Sequence, residues 1–163
     1  MQPNSRLSMN PISVDDSFAH FVEAQDKVYD SVIEELAAGK KETHWMWYIF
    51  PQLKGLGHSL KSVKYGLDNL DHAINYLDHG VTGPRLIECT KLVLTHQDKS
   101  AEQIFKTVDR LKFWSCMTLF SSVPNADDCF AEAFGQFFGG ERDSRTLDML
   151  ALDRSPEEAL WKR

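Results

Sequence analysis

The sequence predicts an all-α fold, a compact single domain of about eight short to medium helices. Three observations carry that expectation. Apolar residues recur at three- and four-residue spacing along most of the chain, cap and stop residues punctuate those runs, and no segment shows period-two alternation bounded by hairpin turns. A chain of 163 residues is long enough to bury a core without disulfides or a structural metal. We expect a flexible N-terminal segment over 1–14, the helical domain over 15–152, and a tail or short helix over 153–163.

The first helix is expected over 18–38, where Phe18, Phe21, Val22, Gln25, Val28, Tyr29, Val32, Ile33 and Leu36 form one face. Asp15, Asp16 and Ser17 offer N-cap acceptors, and Gly39 followed by two lysines supplies the stop. The aromatic string 44–50 reads as two short turns capped by Thr43 and ended by Pro51, because the residue before a proline is pushed out of helical geometry. Trp45 and Trp47 are two apart, so only one of them faces the core easily. Gly55 and Gly57 mark 52–59 as an exposed loop. Short helices follow near 59–65, 70–77, 84–95, 101–105, 110–121, 126–138 and 144–150. Pro84 suits a first turn, Ser100 with Gln103 makes a capping box, and Asp109 and Asp143 can cap the helices after them. Phe130, Phe134 and Phe137 share a face that Gly139-Gly140 ends, and Ser155-Pro156-Glu157-Glu158 can start a last short helix.

Charge is distributed unevenly. The stretch 40–64 carries five lysines against Glu42 alone and is therefore +4, whereas the whole chain is −6. A net acidic protein is repelled by a polyanion, so no nucleic-acid partner is expected and a small anion fits better. The alternative is that these lysines are an ordinary solvated surface. No long uncharged apolar run suits a bilayer, and the first residues lack a basic start followed by an apolar stretch, so no membrane partner and a cytoplasmic location are expected. Cys89, Cys116 and Cys129 lie in apolar helical patterns, as reduced buried thiols do.

Five separated strings then resemble one family. They are His44 to Leu53 (HWMWYIFPQL) with Gly55-Leu56-Gly57, Phe21 to Gln25, Gly83 to Leu86, Ser115 to Phe120, and Phe137 to Gly140 with Asp143, Thr146 and Leu147. In that order they are similar to the domain of unknown function 1810 family, over about 17–150. The resemblance implies an all-α fold and no established reaction. Trp114 stands where that pattern often has a basic residue. Members have also been labelled calpastatin, which would imply a largely disordered inhibitor; these helical periodicities describe a folded core instead.

Candidate ligand-binding residues are Gln25, Tyr29, His44, Trp47, Gln52 and Arg85. His44, Trp47 and Gln52 supply a titratable donor, an aromatic plate and an amide beside a glycine loop, the materials of a small-ligand pocket, or else they pack under loops. Arg85 can clamp a carboxylate or phosphate, or form an inter-helix salt bridge. Gln25 and Tyr29, one turn apart, can share a cavity or satisfy core backbone groups. Asp143 can orient a histidine or cap a helix. Ser115 and Cys116 sit in an apolar helix without a strained elbow motif, so they read as core. No HxxxH, CxxC, P-loop or GxGxxG occurs, so neither a metal nor any cofactor is expected. Two functions remain: a pocket for a small anionic or ring-bearing ligand, which leaves open whether the protein is an enzyme, and an interaction module without catalysis.

Overall fold

A computed structural model describes residues 17–152, which form eight helices: α1 (Ala19–Ala38), α2 (Met46–Ile49), α3 (Leu60–Tyr65), α4 (Leu70–Asp78), α5 (Thr82–Leu94), α6 (Ala101–Ser121), α7 (Cys129–Phe137) and α8 (Ser144–Leu152). Among the described residues there is no strand, only an isolated parallel bridge between Leu53 and Leu67. The expected N-terminal segment, the caps Asp15 and Asp16, and the helix start at Ser155 lie outside the described residues.

α6 is the central element. Ser115 to Phe120 are all buried, six consecutive residues, so this stretch has neighbours on every side. α7, α8 and α4 pack on it, while α5 joins α1, α4 and α7. Aromatic rings meet edge to face along the middle: Phe50 stands at 90° to Phe113 with centroids 5.1 Å apart, and Phe21 lies 5.0 Å from Tyr76. Each fully buried ring of this kind contributes about 1.5 to 3 kcal/mol. Trp45 is fully buried and Trp47 only half-buried, as their spacing requires. The thiols of Cys89, Cys116 and Cys129 are free and buried, and burial pushes the first and last up to about 12 and Cys116 well above its ordinary value.

Several boundaries differ from expectation for identifiable reasons. α1 begins at Ala19; Phe18, at its N-cap position, makes no side-chain cap bond, and its buried ring packs edge-on to Tyr76 at 5.4 Å. Thr43 does not cap α2, because its hydroxyl donates to Glu35 Oε2 at 2.6 Å. The two helices expected over 101–105 and 110–121 are present as the two parts of α6, which meet at a kink at Lys106, where φ is 69° and ψ 179°; the second part begins earlier than expected. Asp109 is therefore inside a helix, and its carboxylate pairs with lysines instead of forming a cap. α7 starts at Cys129 and not at 126, since Asp127 Oδ1 accepts from the Cys129 amide at 2.9 Å and turns the chain there. The Ser100–Gln103 capping box and the left-handed Gly39 stop at φ 70° are present as expected.

Candidate functional site

The loop that follows Pro51 is held at its base by two backbone bonds, Lys54 N to Leu67 O at 2.8 Å and Leu67 N to Gln52 O at 3.0 Å. Gly55 turns it with φ 104°. Gly57 is required by space: a Cβ there would stand 2.5 Å from Ser62 Oγ and 3.3 Å from Gln52 Nε2. That close approach lets the loop fold against the start of α3, where Ser59 Oγ accepts from Ser62 N at 3.1 Å and donates to Ser62 Oγ at 2.9 Å.

Between this loop and α6 and α8 runs a groove of about 310 Å³. Gln52, His58, Ser59, Ser62, Lys112 and Arg145 supply its polar lining, with Leu56, Val108 and Leu111 as apolar walls. Three of the lining side chains are cationic or can become so, and none is a carboxylate. A second recess of about 10 Å³, room for about one water, shares Gln52, Ser62 and Lys112 and reaches the rings of Trp47 and Tyr65. Lys61 Nζ and Lys112 Nζ lie 4.7 and 5.2 Å from the centre of the Trp47 ring, so this ring is already occupied by two cations.

The cations are braced from behind. Arg145 Nε lies 3.3 Å from Asp143 Oδ1, and its Nη2 donates to Ser115 Oγ at 3.4 Å. Asp143 is buried and accepts from Ser115 Oγ and Thr146 Oγ1, both at 2.7 Å, while its amide donates to Thr118 Oγ1 at 2.9 Å. Burial alone would raise its pKa, but the two hydroxyl donors, followed by Arg145, outweigh that and hold the carboxyl below its ordinary value. Asp143 thus orients an arginine, and no histidine contact is made by it. Lys112 is fixed by Asp109 at 3.6 Å.

The other expected residues fall into two further places. His44 is exposed and lines a second groove of about 390 Å³ with Lys41, Glu42, Phe105 and the segment 106–109. Val108 belongs to both grooves. Gln25, Tyr29 and Arg85 do converge, but at the packing of α5 on α1. Gln25 Nε2 donates to Tyr48 O at 2.7 Å and to the Tyr76 hydroxyl at 3.1 Å, and its Oε1 accepts from Arg85 Nη1 at 3.2 Å. Arg85 Nη2 also reaches Asp26 Oδ1 at 2.8 Å, with the guanidinium 4.8 Å over the Tyr29 ring. The Tyr29 hydroxyl donates to Glu88, and burial and then that carboxylate raise its pKa. The polar groups of this cluster are satisfied within the protein. His58, Lys112 and Arg145 carry no mark of a site in the linear chain beyond the place of His58 in the glycine loop; the other two reach the groove only through the packing of α8 on α6.

Among the described residues no three His, Cys, Asp or Glu side chains gather as metal ligands, and no helix is long and apolar enough to cross a membrane. Fold and groove together define an all-helical domain with a basic surface groove. The chain belongs to the family described as protein of unknown function (DUF1810), whose model matches residues 15–150. It is similar to the conserved hypothetical protein Rv1873 from Mycobacterium tuberculosis, known from a crystal structure, at 49% identity and a TM-score of 0.80, over 82% of this chain and 95% of that one. No curated protein matches the chain.

Proposed function

We propose that this protein binds a small anionic ligand in the groove between the glycine loop and α6 and α8. The observation that carries the reading is the lining itself: an imidazole, an ammonium and a guanidinium, with two serine hydroxyls and an amide, and no carboxylate among them. Such a set offers hydrogen-bond donors and positive charge along one surface, which is what an oxyanion needs. Of the lysine-rich stretch 40–64, Lys61 adds positive charge beside the groove at the Trp47 ring, whereas Lys40, Lys41 and Lys54 are paired with carboxylates. Arg85 is outside this proposal, since Gln25, Asp26 and Tyr29 already engage it. A thermal-shift titration with phosphate and carboxylate salts tests the reading. Stabilisation that disappears in His58→Ala and Arg145→Gln supports it, because linkage to the folded state scales with affinity; an inert panel ends it.

An interaction module without catalysis is the second reading. It rests on a shallow apolar groove of about 660 Å³ along α1 and α5, walled by Ile33, Pro84, Ile87 and Leu92. An apolar groove offers a partner a surface against which to bury its own apolar side chains. Ile87→Glu leaves anion binding intact under the first reading and removes any association measured by light scattering under the second.

A further inference from the structure

The basic groove and the groove holding His44 are adjacent, and Val108 is a wall of both. Their shared rim has unusual features. Lys106, with φ 69° and ψ 179°, occupies a region that is essentially glycine's and costs about 1 to 3 kcal/mol for any other residue. Conformations of that cost are concentrated at ligand sites, where surrounding structure enforces them. The break also sets the next turn so that Val108 stands 65% exposed, an apolar ridge between two polar hollows.

Charge differs on the two sides of this ridge. The first groove is lined by His58, Lys112 and Arg145 without a carboxylate. The second contains Glu42 and Asp109 as well as Lys41, Lys106 and His44. Asp109 is engaged there by Lys41 at 2.9 Å, and Glu42 lies 3.8 Å from Lys40. What the second groove offers is therefore a mixture of donors and acceptors beside the buried Phe105 ring, with His44 exposed at its edge. A second phosphate would meet two carboxylates there, whereas an uncharged polar ring finds hydrogen-bond partners of both kinds.

From this we infer that the two grooves are one bipartite site for a small phosphate monoester of a polar ring compound, its oxyanion on His58, Lys112 and Arg145 and its ring beside His44, with the linking carbons crossing Val108. The inference rests on the anion-binding reading of the first groove and adds the second groove to it. Joining two weakly bound parts through a short link makes the second contact intramolecular, so the joined ligand binds much more tightly than either part.

The test is isothermal titration calorimetry of the full chain with orthophosphate, ribose 5-phosphate, a nucleoside 5′-monophosphate and the matching nucleoside. The expected result is a rise in affinity of about tenfold or more from orthophosphate to one of the two monoesters, with the nucleoside alone weak. His44→Gln, or Thr107→Trp as a block in the second groove alone, returns that monoester to the affinity of orthophosphate without changing orthophosphate itself, since neither residue lines the first groove. Arg145→Gln weakens every phosphate-bearing probe. Circular dichroism of each variant shows whether its helices are intact. Equal affinity for orthophosphate and both monoesters, or a monoester affinity indifferent to His44→Gln and Thr107→Trp in folded protein, overturns the bipartite site while leaving the single anion groove standing. Absence of binding by every phosphate-bearing probe overturns both.

Discussion

Lys41 Nζ lies 2.9 Å from Asp109 Oδ2, while the other oxygen of the same carboxylate lies 3.6 Å from Lys112, so one carboxylate ties the chain after α1 to α6 and to the wall of the basic groove. Lys41 is only 7% exposed, also donates to Thr43 O at 2.6 Å, and stands 5.0 Å from the centre of the Trp45 ring. Removing one partner of such a pair leaves the other short of compensation in a poorly solvated place. Lys41→Met keeps the aliphatic stem on Trp45 and isolates the charge effect. We expect a loss of about 1 to 3 kcal/mol in urea denaturation, below the cost of a fully buried pair because Lys112 still serves Asp109. Combining it with Asp109→Asn should cost clearly less than the two single losses added together. Full additivity would show that the pair is idle.

Glu35 gathers four donors on one carboxylate: the amides of Glu42 at 2.7 Å and Thr43 at 3.0 Å, the Thr43 hydroxyl at 2.6 Å, and Trp45 Nε1 at 3.0 Å. Burial by itself would raise its pKa, yet these bonds prevail and hold it below the ordinary value. A carboxyl depressed in the folded state gives stability that is present above its unfolded pKa and is lost as pH falls through the folded one. Asp143 has the same sign. Stability should therefore decline on acidification from about pH 5 downward. Glu35→Gln, which presents an amide donor to groups that are themselves donors, should cost about 1 to 3 kcal/mol at pH 7 and flatten the acid limb. Urea midpoints measured between pH 3 and pH 7 check both parts.

This last network shows how far the sequence carries. α1 is legible to within one residue because nine positions repeat the helical period, and the Ser100 capping box is local by nature. Thr43 also has the right type and place for a cap, but a carboxylate eight residues earlier, one turn from the end of α1, takes its hydroxyl instead. A long-range partner leaves no mark in local spacing. The break at Lys106 is legible as the gap between the helices expected over 101–105 and 110–121, but its positive φ is not, since lysine carries no sign of one, whereas Gly55 and Gly57 announce the loop that walls the groove. Gln52 reads as a site residue because it adjoins those glycines. Lys112 and Arg145 join it only when α6 and α8 pack, a juxtaposition absent from the linear chain.

Arg85 illustrates the opposite outcome, a residue whose chemistry suits a ligand but whose fork is full. Its bonds to Gln25 and Asp26 and its seat over the face of Tyr29 join α5 to α1. Arg85→Ala removes two charge-assisted hydrogen bonds and a cation–π interaction together, and should destabilise the protein by about 1 to 2 kcal/mol. Arg85→Lys should recover part of that, since a single ammonium reaches one partner at a time. Phosphate binding measured by calorimetry should be unchanged in both. A variant that keeps full stability and no longer binds the anion would return Arg85 to the site.

Lys106 offers the sharpest stability test, because two opposing terms can be weighed. Its backbone lies where a Cβ is strained, at a cost of about 1 to 3 kcal/mol, and glycine relieves that strain. Glycine in turn adds about 0.5 to 1 kcal/mol of chain entropy to the unfolded state. The balance favours the substitution, so Lys106→Gly should raise stability by about 1 kcal/mol, the reverse of the usual effect of glycine placed between two helical segments. Lys106→Val, with a branched side chain at the same φ, should lower it by a similar amount. The unfolding midpoint in urea distinguishes these outcomes, since neither change alters the surface exposed on unfolding enough to move the slope. If Lys106→Gly destabilises as it would in an ordinary helix, the break is not held in the conformation described, and the exposed ridge at Val108 that depends on it goes as well.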